Sequence, residues 1–329
     1  MEPVERVRTA LSLERPDRPP FTWWGHTYRE EWSPDALAEV TIERQRLFGW
    51  DLVKLQPRAS CFAEAFGSEY RRSGDGTTSP ALVRPAVTEP DGWSRLPAVD
   101  ASVPALGDQV EALRRVADIV GPGVPVVQTV FSPLMVAGYL IGEDRPQMAA
   151  ELRRRPEDVV PALERIADAL ADLVVRSVEA GAAGLFYAIS AFASTDLLTA
   201  GEYNELVLPS DRRVLDAIPD GAWLNVLHLC GERQRFDVAS VLGLRAVSWS
   251  IHEPGNPSLA DGLSLTGRAA MGGIDLATLA GGTPDEVLEQ GRAAIESTTG
   301  VGLVVAPGCS VPPDAPEENL RAIGRSVGA

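Results

Sequence analysis

Short apolar runs alternate with longer amphipathic stretches along the whole chain of 329 residues. This alternation predicts parallel β-strands that are connected by crossover helices. Several runs are apolar at nearly every position, which is typical of strands that are covered on both faces. Eight runs fit strands, at residues 21–24, 52–56, 124–130, 184–188, 223–227, 246–250, 269–272 and 302–306.

The stretches between these runs predict helices, the clearest at residues 33–48, 106–120, 156–180, 201–217 and 283–298. Ser33 precedes Pro34, and Thr283 precedes Pro284, so two helices have a capping side chain before proline at the first helical position. Strands and helices in this order predict an α/β fold, a (β/α)₈ TIM barrel. The alternative is an open doubly wound sheet, but no G-x-G-x-x-G sequence follows a strand and opens a helix.

Residues 67–105 interrupt this alternation. The segment is rich in Gly, Pro, Ser and Asp, and it is too long for an ordinary loop between a strand and a helix. We expect an insertion after the second strand, built of hairpins that fold over the mouth of the barrel. No internal repeat is apparent, so the prediction is one barrel domain over residues 1–329 with this insertion inside it.

The charge of the chain excludes some partners. It has 30 basic and 46 acidic side chains and a formal net charge of −16, whereas nucleic-acid binding needs clustered Lys and Arg. No apolar run approaches the roughly 20 residues that span a bilayer. The charged N-terminal stretch has no apolar region of the kind that a signal peptide needs. The sequence therefore predicts a cytoplasmic protein that binds neither nucleic acid nor membrane.

Histidine and cysteine are scarce, and each occurs three times: His26, His228 and His252, and Cys61, Cys230 and Cys309. In a barrel, the loops after the C-terminal strand ends build the active site. Five of these six residues follow predicted strands and would lie on that face. The exception is Cys61, which we interpret as structural. Three cysteines in a long cytosolic chain do not form a disulfide framework.

The strongest local signal is NVLHLCGE at residues 225–232, together with VVAPGCSVPP at residues 304–313. His228 and Cys230 are two residues apart, so their side chains point the same way in an extended strand end. Cys309 lies far away in sequence, but its strand end can face theirs across the barrel mouth. One imidazole and two thiolates suit Zn²⁺ and leave a fourth position for a substrate thiol. The alternative is that the cysteines are small hydrophobic core residues.

At this point the residues resemble those of the uroporphyrinogen decarboxylase superfamily, over nearly the whole chain. The stretches that carry the resemblance are RVRTALSLERPDRPPF, EYNELVLPSDRRVLDAI, HLCG, GIDLATLAGGTPDEV and PGCSVPPDAPEENLRAI. The resemblance implies a (β/α)₈ barrel, in agreement with the strand count. It also implies one of two functional branches.

The decarboxylase branch has an N-terminal arginine-rich motif that grips the carboxylates of a porphyrinogen. Here the equivalent stretch reads FTWWGHTYREEW at residues 21–32. Arg29 alone cannot replace a set of bidentate arginine clamps, and a net charge of −16 repels so acidic a substrate. Porphyrinogen decarboxylation is therefore disfavoured.

The second branch comprises zinc-dependent corrinoid methyltransferases of the methylcobamide:coenzyme M type. Its H-x-C signature and distant cysteine match His228, Cys230 and Cys309, and FASTDLLTAGEY at residues 192–203 is similar as well. The resemblance implies a zinc enzyme that moves a methyl group to a thiol acceptor. The donor would be a methylcorrinoid on a separate partner protein, because this chain has no recognisable corrinoid-binding domain.

Further site residues are expected near the strand ends. We predict catalytic roles for Tyr187 and His252; His252 stands where relatives more often have an acidic residue. It would act as an acid or base, bind substrate or complete the zinc shell, and a buried structural histidine is the alternative. Residues predicted to contact substrate are Trp24, His26, Asp196 and Asn225; barrel packing is the alternative for Trp24, and helix capping for Asp196.

Three alternatives remain open at the sequence level. One is a lyase or decarboxylase that acts on a small acid. Another is a non-catalytic protein that binds a corrinoid or tetrapyrrole. The third keeps zinc and the thiol acceptor but uses a small alkylated donor instead of a corrinoid.

Overall fold

A seven-stranded parallel sheet forms the centre of the computed structural model, which describes all 329 residues. The strands of this sheet are β1 (Val53–Leu55), β4 (Val126–Phe131), β5 (Gly184–Ala188), β6 (Val226–His228), β7 (Ala246–Ser248), β8 (Ala269–Ile274) and β9 (Leu303–Pro307). They pair in chain order, each parallel to the next. Every residue of these strands is buried, which explains why their sequences are so apolar.

The prediction of a strand at residues 21–24 is wrong, because these residues form no regular strand. Only an isolated parallel bridge joins Phe21 to Val305 of β9, and Val305 N–H donates to the Pro20 carbonyl over 2.9 Å. Pro20 has no N–H to continue a ladder, and Phe21 N–H donates to the Asp51 carboxylate. The α/β class with a parallel sheet is thus confirmed, with seven regular strands where eight were predicted.

Four of the five predicted helices are present as continuous helices, and the start signals at Ser33 and Thr283 are confirmed. Ser33 Oγ accepts from the main chain of Ala36 at the start of its helix, and Thr283 forms a capping box with Glu286. The helices are α1 (Pro3–Leu11), α2 (Pro34–Phe48), α3 (Cys61–Glu64), α4 (Pro104–Val120), α5 (Pro133–Leu140), α6 (Arg145–Arg154), α7 (Pro156–Glu179), α8 (Ala200–Glu202), α9 (Leu208–Leu215), α10 (Asp237–Leu242), α11 (Leu259–Thr266), α12 (Leu276–Gly281), α13 (Pro284–Thr298) and α14 (Glu317–Ser326).

One predicted helix is not continuous. Where residues 201–217 predict a single helix, the structure has α8, a π-helical turn at Tyr203–Val207, and α9. Pro209 lies at the start of α9 and cannot donate a main-chain hydrogen bond back into the preceding turn. The change of helical pitch follows from that missing donor.

The segment at residues 67–105 contains the predicted hairpin, formed by antiparallel strands β2 (Glu69–Arg71) and β3 (Ala81–Arg84). Beyond the hairpin, Val87 N–H donates to the Leu140 carbonyl at the end of α5. The segment therefore packs against the connection between α5 and α6. That it is an insertion into the domain stays a prediction.

No helix combines the length and the apolar character needed to cross a bilayer.

Candidate metal centre and its cavity

A cavity of about 210 Å³ lies at the C-terminal ends of the parallel strands. Its lining includes Trp24, Lys54, Phe186, His228, Cys230 and Cys309. Aromatic and aliphatic side chains form about half of this lining, and the remainder is polar or charged. An apolar cavity with a few convergent polar groups is typical of a small-molecule site.

Three potential metal ligands converge in this cavity. His228 is the last residue of β6 and is buried; Cys230 follows it by two residues, and Cys309 lies just beyond β9. The Sγ atoms of Cys230 and Cys309 are 3.3 Å apart, and Cys309 Sγ lies 3.5 Å from His228 Nε2. All three ligand atoms lie within 4.8 Å of one another. The predicted convergence of these residues is therefore present.

Two glycines permit this approach. A Cβ atom on Gly308 would lie 2.4 Å from Ser250 Cβ, so only glycine lets the end of β9 run this close to the residues after β7. Gly231 has a φ of +102°, in the left-handed region that favours glycine. These positions set the two loops that bring Cys309 and Cys230 together.

The donor set fits a zinc ion. Tetrahedral zinc with ordinary bond lengths places sulfur ligands about 3.8 Å apart and a sulfur about 3.5 Å from a nitrogen. The 3.5 Å between Cys309 Sγ and His228 Nε2 matches the second value, and the two sulfurs, at 3.3 Å, are about half an ångström closer than the first. No pair of the three ligand atoms is more than 4.8 Å apart. Three protein ligands leave a fourth position for a substrate, as in catalytic zinc sites.

The two cysteine thiols differ in acidity. The Cys230 thiol donates to Cys309 Sγ, and with His228 it holds the pKa of Cys309 well below its usual range. The pKa of Cys230 is raised by the same hydrogen bond and by burial. Cys309 is thus the sulfur that ionises first, which is the form that binds a metal.

The imidazole of His228 is held from two sides. Its Nδ1 pairs with Ser248 Oγ over 3.2 Å, across the register that joins β6 to β7. The rings of Phe186 and Trp24 lie against it, with centroids 4.9 and 6.1 Å from its own. Such second contacts orient a metal-binding histidine.

A chain of buried polar side chains leads away from the cavity. Lys54 Nζ donates to Gln56 Oε1, Gln56 Nε2 lies 3.0 Å from His26 Nε2, and His26 Nδ1 lies 2.8 Å from Glu31 Oε1. The ring of His26 also stacks on Tyr28, with centroids 4.7 Å apart. Burial lowers the pKa of Lys54 to about 7.

The loop between α5 and α6 also contributes to the lining. Glu143 and Arg145 face the cavity, and Glu143 has a φ of 70°, which is strained for a residue other than glycine. Burial raises the pKa of its carboxyl group. The cavity therefore has one carboxyl group and two cations, Arg145 and Lys54.

Of the residues predicted to contact substrate, Trp24 and His26 line the cavity. Asn225 does not, because its side chain accepts from Leu185 N–H and donates to the Ala222 carbonyl, just before the start of β6. Asp196 also lies elsewhere. It is half exposed and forms an ion pair with Arg233.

The two residues predicted to be catalytic lie outside the cavity lining. The Tyr187 hydroxyl donates to Asp211 Oδ1 over 2.5 Å, and Tyr203 donates to the other oxygen of that carboxylate. Burial raises the pKa of Asp211 to about 6. His252 Nε2 lies 3.3 Å from the Gly273 carbonyl.

Lys54 and Gln56 line the cavity as well, although neither was predicted from the sequence as a site residue. A signal was present, because the run LVKLQ carries a lysine and a glutamine two positions apart within an apolar strand. Alternate residues of a strand share a face, so both side chains were bound to lie on one side of the sheet. Lys54 is also the only lysine in the chain.

Comparison with known proteins places this geometry in context. The chain is 23% identical over 334 residues to the methylcobamide:CoM methyltransferase MtbA of Methanosarcina acetivorans, covering 97% of this chain and 95% of that protein. It is 25% identical over 309 residues to a methylated-thiol–coenzyme M methyltransferase of Methanosarcina mazei, covering 88% and 76% of the two chains.

Among solved structures, a methyltransferase from Methanosarcina mazei has the same fold. It superposes with a TM-score of 0.84 at 22% identity, covering 99% of this chain and 98% of the other. Residues 3–329 match the family of uroporphyrinogen decarboxylase (URO-D). The resemblance inferred from the sequence motifs is confirmed, and the chain belongs to the uroporphyrinogen decarboxylase family.

Proposed function

We propose that this protein is a zinc-dependent methyltransferase that transfers a methyl group to a thiol acceptor. The observation that carries the proposal is the convergence of His228 Nε2, Cys230 Sγ and Cys309 Sγ within 4.8 Å in the wall of a cavity. These three residues would hold the zinc. When bound, zinc would lower the pKa of an acceptor thiol so that its sulfur is a nucleophile at neutral pH.

The protein's own residues prepare the cavity for this chemistry. Trp24 and Phe186 exclude water on the side of His228, and Ser248 keeps the imidazole in place. Excluding water raises the reactivity of an anionic sulfur, because the anion loses its hydration shell. His26 belongs to the buried chain that ends at Lys54 and lines the same cavity.

For the donor, we propose a methylcorrinoid carried by a separate partner protein. Support comes from relatives that are named methylcobamide:CoM methyltransferases and align with nearly the whole chain. A relative named for methylated thiols makes a small methylated donor the second candidate. Testing methylcobalamin and a methyl thioether side by side distinguishes the two donors.

The test combines metal analysis with a transfer assay. We expect about one zinc per chain in freshly purified, reduced protein, and methylation of coenzyme M from methylcobalamin that depends on this zinc. Cys309→Ala should lose both the zinc and the transfer. Cys61→Ala is the matched control, because Cys61 is fully buried on α3 and is not among the three converging ligands.

Other outcomes would favour other functions. Absence of zinc from the purified protein would remove the central support of the proposal. Turnover of a small acid without any thiol, surviving in Cys230→Ala, would indicate a lyase or decarboxylase. A co-purifying visible-absorbing ligand with no turnover would indicate a tetrapyrrole-binding protein.

A further inference from the structure

Lys54 occupies the same aromatic corner of the cavity as the potential metal ligand His228. Its Nζ lies 5.0 Å from the centroid of Phe186 and 5.6 Å from that of Trp24. The same two rings contact the imidazole of His228. A cation thus lies beside the ligand set without belonging to it.

The bonding of Lys54 leaves it without a charged partner. The side chain is 5% exposed, and its ammonium group makes one hydrogen bond, to Gln56 Oε1. No carboxylate lies within ion-pair distance of Nζ. An ammonium group has three donors, so two of them remain for the cavity. A buried cation with unused donors is costly unless an anion or another acceptor joins it.

The neighbouring side chains hold Lys54 in this arrangement. Glu31 Oε1 lies 2.8 Å from His26 Nδ1, and a neutral imidazole with its proton on Nδ1 has Nε2 as an acceptor. Gln56 must then direct its amide nitrogen to His26 and its oxygen to Lys54. The oxygen of Gln56 accepts only, so Lys54 is the donor. These contacts therefore hold the Lys54 ammonium group as a hydrogen-bond donor at this wall of the cavity.

The net charge of the occupied site indicates a role for the Lys54 ammonium group. This step rests on the proposed function, in which zinc and an acceptor thiol bind in the cavity. Two ionised cysteines and one divalent ion have no net charge. An acceptor that enters the same cavity as a thiolate adds one negative charge, and it releases its proton to solvent. A charge in a cavity with so much apolar lining is unfavourable unless a counter-charge lies nearby. Arg145 also faces the cavity, but Glu143 beside it has the opposite charge, which leaves Lys54 as the cation without a carboxylate partner.

We propose that Lys54 is the counter-charge for the acceptor thiolate and that it makes the cavity select the thiolate over the methylated product. In the transfer, the sulfur forms a bond to the methyl carbon, and the donor keeps the electron pair of its broken bond to that carbon. The product is a thioether, which carries no charge at sulfur. It no longer pairs with Lys54, which favours its release.

The experiment compares two ligands that differ only at sulfur, coenzyme M and its S-methyl derivative. Their affinities for the zinc-loaded protein are measured by calorimetry, without any methyl donor. We expect Lys54→Met to weaken coenzyme M binding on the order of 100-fold, while binding of the S-methyl derivative changes less than about threefold. Lys54→Arg keeps the charge and should recover much of the difference.

Coenzyme M and its S-methyl derivative are identical except at sulfur, so a difference between their affinity changes reports on the sulfur alone. Equal losses for both ligands would show that Lys54 binds the tail or only shapes the cavity, and unchanged affinities would show that it has no role; either overturns the inference. Lys54→Gln replaces Lys54→Met if the latter does not fold. A wild-type protein that binds no zinc overturns the proposed function itself, and one that binds zinc but neither ligand overturns the acceptor assignment and this inference with it.

Discussion

The sulfur atoms of Cys230 and Cys309 lie 3.3 Å apart, although 79 residues separate them in the chain. Cys230 follows β6 and Cys309 follows β9, and the parallel sheet brings the C-terminal ends of these strands to one face. Each cysteine is therefore positioned by a different strand, and β7 and β8 lie between these two strands in the sheet. The potential metal site depends on the curvature of the whole sheet rather than on any local motif.

The close approach at Gly308 makes a prediction about metal affinity. Gly308→Ala places a Cβ atom 2.4 Å from Ser250 Cβ, so the loop that carries Cys309 must move. We expect a loss of about 1–3 kcal/mol in stability and a weaker hold on zinc in competition with a chelator. Gly281→Ala, where nothing lies within 4 Å, is the control and should behave as the wild type. Normal zinc affinity in Gly308→Ala would mean that the loop tolerates the displacement.

The contact between His228 and Ser248 predicts a selective effect on metal binding. Ser248→Ala removes the hydroxyl that pairs with His228 Nδ1, so the imidazole loses one of its orienting contacts. We expect zinc affinity to fall about 10-fold or more. Chelator competition measures the effect, while thermal unfolding of the metal-free protein should be nearly unchanged. If zinc affinity does not change, the two aromatic rings are sufficient to orient the imidazole.

A variant of Asn225 distinguishes a structural role of this side chain from the substrate contact that was predicted from the sequence. Its side-chain oxygen accepts from the buried Leu185 N–H, so Asn225→Ala leaves that donor without a partner. We expect unfolding to become easier by about 1–3 kcal/mol in denaturant titrations, with zinc and thiol affinities retained in the folded fraction. A variant of normal stability that binds thiol poorly would instead support the substrate contact predicted from the sequence.

The buried carboxyl group of Asp211 predicts an unusual dependence of stability on pH. Burial raises its pKa from 3.8 to about 6, so the folded state holds this proton more tightly than the unfolded state. Its contribution to stability therefore falls as pH rises from about 4 to about 6, by a total of about 3 kcal/mol. Asp211→Asn should remove that fall when denaturant unfolding is followed across this pH range.

The matched control for this measurement is Asp216→Asn, an exposed carboxylate at the C-terminal end of the same helix. Across this pH range, the stability difference between Asp211→Asn and the wild type should change by more than that between Asp216→Asn and the wild type. A constant difference for Asp211→Asn would show that Tyr187 and Tyr203 stabilise the ionised carboxylate enough to offset its burial.

Much of the site followed from residue type and order alone. His228, Cys230 and Cys309 were identifiable because they are rare residues that follow apolar strands, and a parallel sheet places such residues at one edge. Trp24 and His26 were predicted near the cavity for the same reason, and both line it. Tyr187 lies within β5, where alternate side chains face opposite sides of the sheet, and it pairs with Asp211 instead of lining the cavity. Its catalytic role stays a prediction.

Residue order and type were sufficient to predict the α/β class, the helix starts at Ser33 and Thr283, and the three potential metal ligands. These depend on periodicity, capping and scarcity, which are local or compositional properties. Three features emerge only in the folded chain: residues 21–24 form no regular strand, Tyr187 pairs with Asp211, and Lys54 shares an aromatic corner with His228. Such relationships depend on packing between segments distant in sequence, which no local pattern encodes.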